Sequence, residues 1–337
     1  MRKIDFEAHF YTKEFVKTLL TCKEYPRYEE DKQTDTRRLW YTPDVWEPHG
    51  DILLNKLLDV GEGRLKEMDA AGVDIQVLSL SAPGVEQFDV PIGTALARET
   101  NDALSNIVEK HPDKFIGFAA LAPKNPSEAA DELERTIRDL GLKGWKTHSN
   151  ISGTYLDNNE YWPIFEKAEK LDVPIFLHPT IPTITELRTY GYALAGPTFG
   201  FGFDTAICMM RLIFSGVFDK YPKLKFILGH LGEALPFNLS RIDFMWERPW
   251  CTDIRPKLMK TPSDYFKNNV FVNTSGNFHQ PAVMCTYQAL GGDKMLFGTD
   301  YPYEEMTKAV QCIETSSIPE KDKDKIFYLN AQKLFRI

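Results

Sequence analysis

The sequence predicts an α/β chain folded as a single (β/α)8 TIM barrel, with a lid insertion after its first strand. Three observations carry this. Eight short apolar runs alternate with amphipathic stretches of helical length, which implies parallel strand pairing. The chain has 337 residues, and α/β barrels pass about 200 residues as one unit. No Gly-x-Gly-x-x-Gly follows the first run, which argues against a dinucleotide-binding open sheet. No linker, repeat or low-complexity break divides residues 1–337.

The first strand is Ile4-Asp5-Phe6-Glu7-Ala8-His9. Side chains alternate along a strand, so Glu7 and His9 share a face. Residues 10–61 then form a long polar stretch rich in Tyr, Trp and Pro, read as a lid or insertion loop. Its aromatics can cover a planar substrate or form a surface flap with a small core of its own.

From Arg64 the alternation is regular. A helix at 64–69 precedes a strand at 73–80, and a helix over about 91–110 precedes a strand at 115–121. Pro126 and Ser127 start a helix that runs to Leu140, followed by a strand at 142–148. The pattern continues with a helix at 161–171, a strand at 173–178, a helix at 205–217 and a strand at 224–230. A helix at 234–246 leads into a Pro-rich excursion, then a strand at 269–274, a helix at 280–290 and the last strand at 294–300. Helices at 304–314 and 319–334 close the chain.

Composition narrows the class. Apolar residues make up 43% and charged residues 26%, enough for a sizeable core. A net charge of −8 argues against a nucleic-acid-binding surface. The five cysteines are scattered, odd in number and without CxxC spacing, as in a reduced cytoplasmic protein. No run approaches the roughly 18 apolar residues of a membrane span. Met1-Arg2-Lys3 leads into the strand without the apolar segment of a secretion signal.

Barrel enzymes place their chemistry at the C-terminal ends of the strands. Those ends carry Glu7 and His9 (first), Lys146 and His148 (fourth), His178 (fifth), His230 (sixth) and Asp300 (eighth). Imidazole and carboxylate together suit Zn, Mn or Fe, with positions left open for water or substrate. Asp300 can ligate and move a proton; His230 is a further ligand or an acid/base beside the ion. His49, His111 and His279 fall in loop or helix-end contexts and are expected in solvent.

Several motifs resemble a known family. They are Phe-Leu-His-Pro (176–179), Ala-Gly-Pro-Thr-Phe-Gly-Phe (195–201), Leu-Gly-His-Leu-Gly-Glu-Ala-Leu-Pro-Phe (228–237), Ser-Arg-Ile-Asp (240–243), Asn-Thr-Ser-Gly-Asn-Phe (273–278) and Phe-Gly-Thr-Asp-Tyr-Pro (297–302). Together they resemble the amidohydrolase superfamily, in its branch of metal-dependent, non-oxidative decarboxylases. That branch includes the γ-resorcylate, 2,3-dihydroxybenzoate, 5-carboxyvanillate and aminocarboxymuconate-semialdehyde enzymes. The resemblance covers nearly the whole chain.

The resemblance implies one divalent ion, Zn or Mn, on Glu7, His9, His178 and Asp300, with His230 beside the open position. It implies decarboxylation of a small aromatic acid of ortho-hydroxybenzoate type, with Asp300 protonating the ring carbon, and a homodimer or homotetramer. Glu7 resembles the hydroxybenzoate enzymes, since the aminocarboxymuconate enzymes carry a second His there. Arg241 stands where relatives hold the substrate carboxylate; a structural ion pair is the other reading of its guanidinium. Phe201 and Phe203 either wall a dry planar pocket or pack the start of a helix. Arg37, Arg38 and Arg64 are candidate lid arginines. The alternative is a hydrolase or hydratase using a metal-activated water, in which Lys146 would sit between two ions.

Overall fold

The computed structural model describes residues 2–337. Its centre is a ring of eight parallel strands, each at a predicted position. In chain order they are Ile4–Phe10, Ile75–Leu80, a third strand interrupted at Phe118 (Phe115–Gly117 and Ala119–Ala120), Trp145–His148, Ile175–His178, Phe226–Leu228, Val270–Asn273 and Met295–Leu296. Each pairs with the next. The Phe118 amide donates to the Leu78 carbonyl at 2.9 Å and the Ala119 amide to Gly144 at 2.8 Å, which carries the ring past the interruption. Closure comes from a parallel bridge between Ala8 and Tyr301. It is reinforced where the Phe6 amide donates to Phe297 and the Asp300 amide to the Glu7 carbonyl, at 2.8 and 2.9 Å.

The first strand departs from strict alternation. Its register against the second shifts between Asp5 and Ala8, a β-bulge. Phe6 therefore points inward, onto Phe118 and Phe176 at centroid distances of 5.4 and 4.9 Å. Glu7 also points inward, above this aromatic floor and against His178, its Oε1 3.2 Å from the imidazole Nε2. The floor, completed by Ile4, Val77, Ile227 and Leu296, is buried apolar surface. The larger core lies between the ring and the surrounding helices. No described helix is long and apolar enough to cross a membrane.

Residues 10–61 are more ordered than a loop. A helix at Lys13–Thr21 is capped by the Thr12 hydroxyl, which accepts from the Phe15 amide. A three-stranded antiparallel sheet follows at Arg27–Asp31, Thr36–Thr42 and Val45–Glu47, then a helix at Gly50–Leu58. Alternating Tyr28, Leu39, Tyr41 and Val45 give this sheet a buried face, and the interspersed charges hid that period. The helix expected at 205–217 begins earlier, at Gly200, and ends at Phe214. The final predicted helix is broken into Glu320–Asp324, a π-turn at Lys325–Leu329 and Asn330–Phe335.

Candidate metal centre and its cavity

Four side chains from three strand ends meet at the C-terminal mouth of the barrel. One ligand-type atom each from Glu7, His9, His178 and Asp300 lies within 4.8 Å of the others. Glu7 Oε1 is 3.2 Å from His178 Nε2 and 3.6 Å from His9 Nε2. His9 Nε2 is 3.0 Å from Asp300 Oδ1.

Each member is held from behind. The other oxygen of Glu7 accepts from Ser275 Oγ at 2.5 Å and from Asn273 Nδ2 at 2.8 Å. His178 Nδ1 donates to the Pro179 carbonyl at 2.8 Å, which leaves its Nε2 lone pair facing the centre. Behind His9, Lys146 Nζ lies 3.2 Å from Nδ1 and 2.7 Å from the Leu80 carbonyl. Burial lowers this lysine to about 7. Its Nζ donates to the Leu80 carbonyl and lies against the back of the His9 ring.

Glu7 Oε1 is fully buried and has no hydrogen-bond partner. Burial alone would raise the Glu7 carboxyl, but His230, His178 and His9 outweigh it and hold the group well below the usual range. A buried, ionised oxygen without a donor is costly. It faces imidazole nitrogens and a second carboxylate, which is the donor set of a divalent cation. The residues fit a metal.

His230 stands beside this set, with Nε2 3.8 Å from both Glu7 Oε1 and Asp300 Oδ2. Its Nδ1 is 2.6 Å from Glu233 Oε1. Burial opposes its protonation, but Glu233, Glu7 and Asp300 together keep it well above the ordinary histidine value. The turn that carries it is left-handed at His230, Leu231, Glu233 and Ala234, and Asp300 is left-handed too. Such non-glycine positions cost on the order of 1–3 kcal/mol each, and here they aim His230 and Glu233 into one cavity. At Gly276, also left-handed, a Cβ would lie 2.6 Å from His230 Cδ2.

The cavity above the set is about 490 Å³. Tyr192, Phe199, Phe201, Phe203 and Tyr303 give it aromatic walls, Tyr41 and Glu47 reach it from the antiparallel sheet, and His49 from the start of the helix that follows. No described lining residue is Lys or Arg.

Of the four strand-end histidines, His9, His178 and His230 converge. His148 turns away, with Nδ1 2.7 Å from Glu86 Oε1, and does not line the cavity. Phe201 and Phe203 line it, and Phe203 also stacks on Phe199 at 3.9 Å. Arg241 does not: it is exposed on the helix Leu235–Ile242 with its guanidinium 4.6 Å from the Phe244 ring centre. The short turn after the sixth strand starts that helix with Arg241 on its solvent side. None of the three lid candidates is there either. Arg37 pairs with Asp51, Arg38 with Asp31, and Arg64 is buried and donates to the His9 carbonyl at 2.7 Å.

His49, expected in solvent, is instead part of the wall. Asn273, Ser275 and Glu233 lay within quoted motifs without roles; the His-x-x-Glu spacing of 230 and 233 was the available signal. Nothing local marked Glu47, Tyr192 or Tyr303.

Residues 4–337 match the family described as amidohydrolase. A γ-resorcylate decarboxylase of Polaromonas sp. (strain JS666) is 41% identical over 295 residues, spanning 85% of this chain and 90% of that protein. The crystal structure of 5-carboxyvanillate decarboxylase from Sphingomonas paucimobilis superposes with a TM-score of 0.89 at 35% identity, over 100% of this chain and 99% of that one. A dihydroxybenzoic acid decarboxylase from Polaromonas sp. JS666, with bound manganese and the inhibitor 2-nitroresorcinol, gives 0.84 at 37% identity, over 99% and 97%.

Proposed function

The chain belongs to the amidohydrolase family, and we propose that it is a metal-dependent, non-oxidative decarboxylase of a hydroxylated aromatic carboxylic acid. The observation that carries this is the partnerless Glu7 Oε1, buried among His9, His178 and Asp300 beneath an aromatic cavity. Glu7, His9, His178 and Asp300 would hold one divalent ion, manganese or zinc; manganese occupies the Polaromonas structure. When bound, the ion supplies a Lewis acid for the oxygens of a carboxylate and a neighbouring hydroxyl.

The chain's own residues do the rest. Phe201, Phe203 and Tyr192 are among the aromatic walls that a planar ring would meet in the cavity. Asp300 delivers a proton to the ring carbon that bears the carboxylate. A carbon–hydrogen bond forms there, the carbon–carbon bond to the carboxylate breaks, its electron pair returns to the ring, and carbon dioxide leaves. The ring keeps the proton, so Asp300 must be reloaded. His230, 3.8 Å from Asp300 and backed by Glu233, is placed to pass it one. Exposed Phe237, Trp250 and Ile254 support assembly into a homo-oligomer.

The test is a decarboxylation screen. Metal-reconstituted protein meets a panel of ortho-hydroxybenzoates, with carbon dioxide release and ultraviolet absorbance both followed. Release from one ring pattern is expected. Silence across the panel with one bound ion would overturn the aromatic substrate.

A further inference from the structure

Asp5 is a buried carboxylate whose side chain neither lines the cavity nor belongs to the four-residue set. It leaves the first strand beside its register partner Gln76, whose Nε2 also reaches Met306 Sδ at 3.4 Å. Its two oxygens divide their partners. Oδ1 accepts from two backbone amides, those of Glu7 at 3.1 Å and Thr299 at 2.8 Å. Oδ2 accepts from two side chains, Thr299 Oγ1 at 2.6 Å and Gln76 Nε2 at 3.0 Å.

Both amides on Oδ1 adjoin a ligand. The Glu7 amide lies in the bulge, where the extra residue of a bulged strand falls out of the ladder. Asp5 Oδ1 supplies a partner for it, so the backbone that turns Glu7 inward is held by the side chain two residues before. Thr299 precedes Asp300, whose backbone is left-handed, and Thr299 Oγ1 also accepts from the Tyr301 amide at 3.2 Å. Asp300 is thus fixed on both flanks. Asp5 and Thr299 are 294 residues apart in the chain, and a single oxygen ties their two strand ends together. A ligand set works only when its atoms are held close to the geometry the ion demands.

Building on the proposed metal site, we infer that Asp5 is a positioning residue. Through the two amides on Oδ1 it sets Glu7 against Asp300, and so sets the affinity for the divalent ion. It touches neither ion nor substrate. The pair of bonds to one oxygen is what acts, so a neutral oxygen in the same place serves. Asp5→Asn keeps that oxygen. Its Nδ2 then has two acceptors within reach: the Thr299 hydroxyl, and Gln76 Oε1, which is buried without a partner and comes into place when the Gln76 amide turns over.

The test measures the Mn²⁺ affinity of wild type, Asp5→Ala, Asp5→Asn and Thr299→Val by competition with a fluorescent chelator. The melting temperature of each metal-free protein is measured alongside. Asp5→Ala should weaken binding by about 10- to 100-fold, and Asp5→Asn should recover most of that loss. Thr299→Val keeps its amide but frees Oδ2 from one donor, and should weaken binding by about two- to tenfold. It decides the matter if Asp5→Ala does not fold. A role confined to stability would lower the melting temperature and leave the affinity of the folded protein where it was.

Wild-type affinity in folded Asp5→Ala, or in Thr299→Val, overturns the proposal. So does an Asp5→Asn as weak as Asp5→Ala, because the charge on Asp5 and not the bonds to Oδ1 would then govern the site. Wild type that binds no Mn²⁺ overturns the metal site and this role with it. If Mn²⁺ binds but no hydroxybenzoate is decarboxylated, the reaction assignment fails, and the affinities still decide the role of Asp5.

Discussion

Lys146 Nζ sits 3.2 Å from Nδ1 of His9, on the side of the imidazole that faces away from Glu7 and Asp300. This decides between two chemistries open to the family. A lysine that bridges two ions must present its nitrogen to the centre. Here the Leu80 carbonyl and the back of His9 engage it, and it is fully enclosed. Reconstituted protein should therefore bind one divalent ion per chain by elemental analysis. A stoichiometry of two would return Lys146 to a bridging role. His178→Ala should lose most of that ion, and full occupancy would remove His178 from the ligand set.

Asp300 makes the shortest approach to a histidine within the four-residue set and closes the barrel through its own amide. Asp300→Asn keeps the shape and removes the proton. Turnover should fall by about 10² to 10⁴, with the circular dichroism spectrum unchanged. Retained turnover would remove Asp300 as donor.

Asn273 and Ser275 fix the carboxylate of Glu7 from behind. Asn273→Ala should weaken metal affinity by roughly 10- to 100-fold, the usual effect of removing a group that orients a ligand. Competition with a fluorescent chelator reads this directly. Unaltered affinity would mean that Ser275 alone holds Glu7.

Gly276 permits the approach of His230 to Asp300. Gly276→Ala should displace the imidazole and lower kcat by on the order of 100-fold, a typical result of misplacing a catalytic group by about 1 Å. Metal content should stay near that of wild type, because His230 is outside the four-residue set. The added methyl would also lie 3.4 Å from Asp300 Oδ2, so loss of both together would mean that Asp300 is displaced with the imidazole or that His230 is itself a ligand.

Lys294 offers a stability test far from the chemistry. Its Nζ donates to the Asn268 carbonyl at 2.7 Å and lies 4.4 Å from the Phe271 ring centre. Burial, with Lys225 nearby, lowers it from 10.5 to about 8. Between those values the unfolded chain holds a proton that the folded chain has released, so this group makes stability rise with pH. The burden is full below pH 8. Urea unfolding at pH 7.5 and 10 should show wild type gaining more than Lys294→Met, and equal gains would refute the depressed value.

The sequence by itself determined the barrel. Apolar runs such as 73–80 and 173–178, spaced by helical periods, admit one parallel arrangement, and period and length are local properties of the chain. It also determined which residues end the strands, and so brought Glu7, His9, His178, His230 and Asp300 forward. Their convergence was a matter of tertiary structure. Strict alternation cannot turn both Phe6 and Glu7 inward; the bulge between Asp5 and Ala8 does so, and only pairing with the second strand reveals it. Direction around the rim was equally hidden: His148 and His178 are register partners, yet one faces Glu86 and the other Glu7. Arg241 left the site because a helix surface, not its distance from His230 in the chain, sets where its side chain goes. Glu47 and His49 entered because the sheet of residues 27–47 folds back over the barrel mouth. Contacts across more than 200 residues, like that of Asn273 with Glu7, leave no local period for a sequence to display.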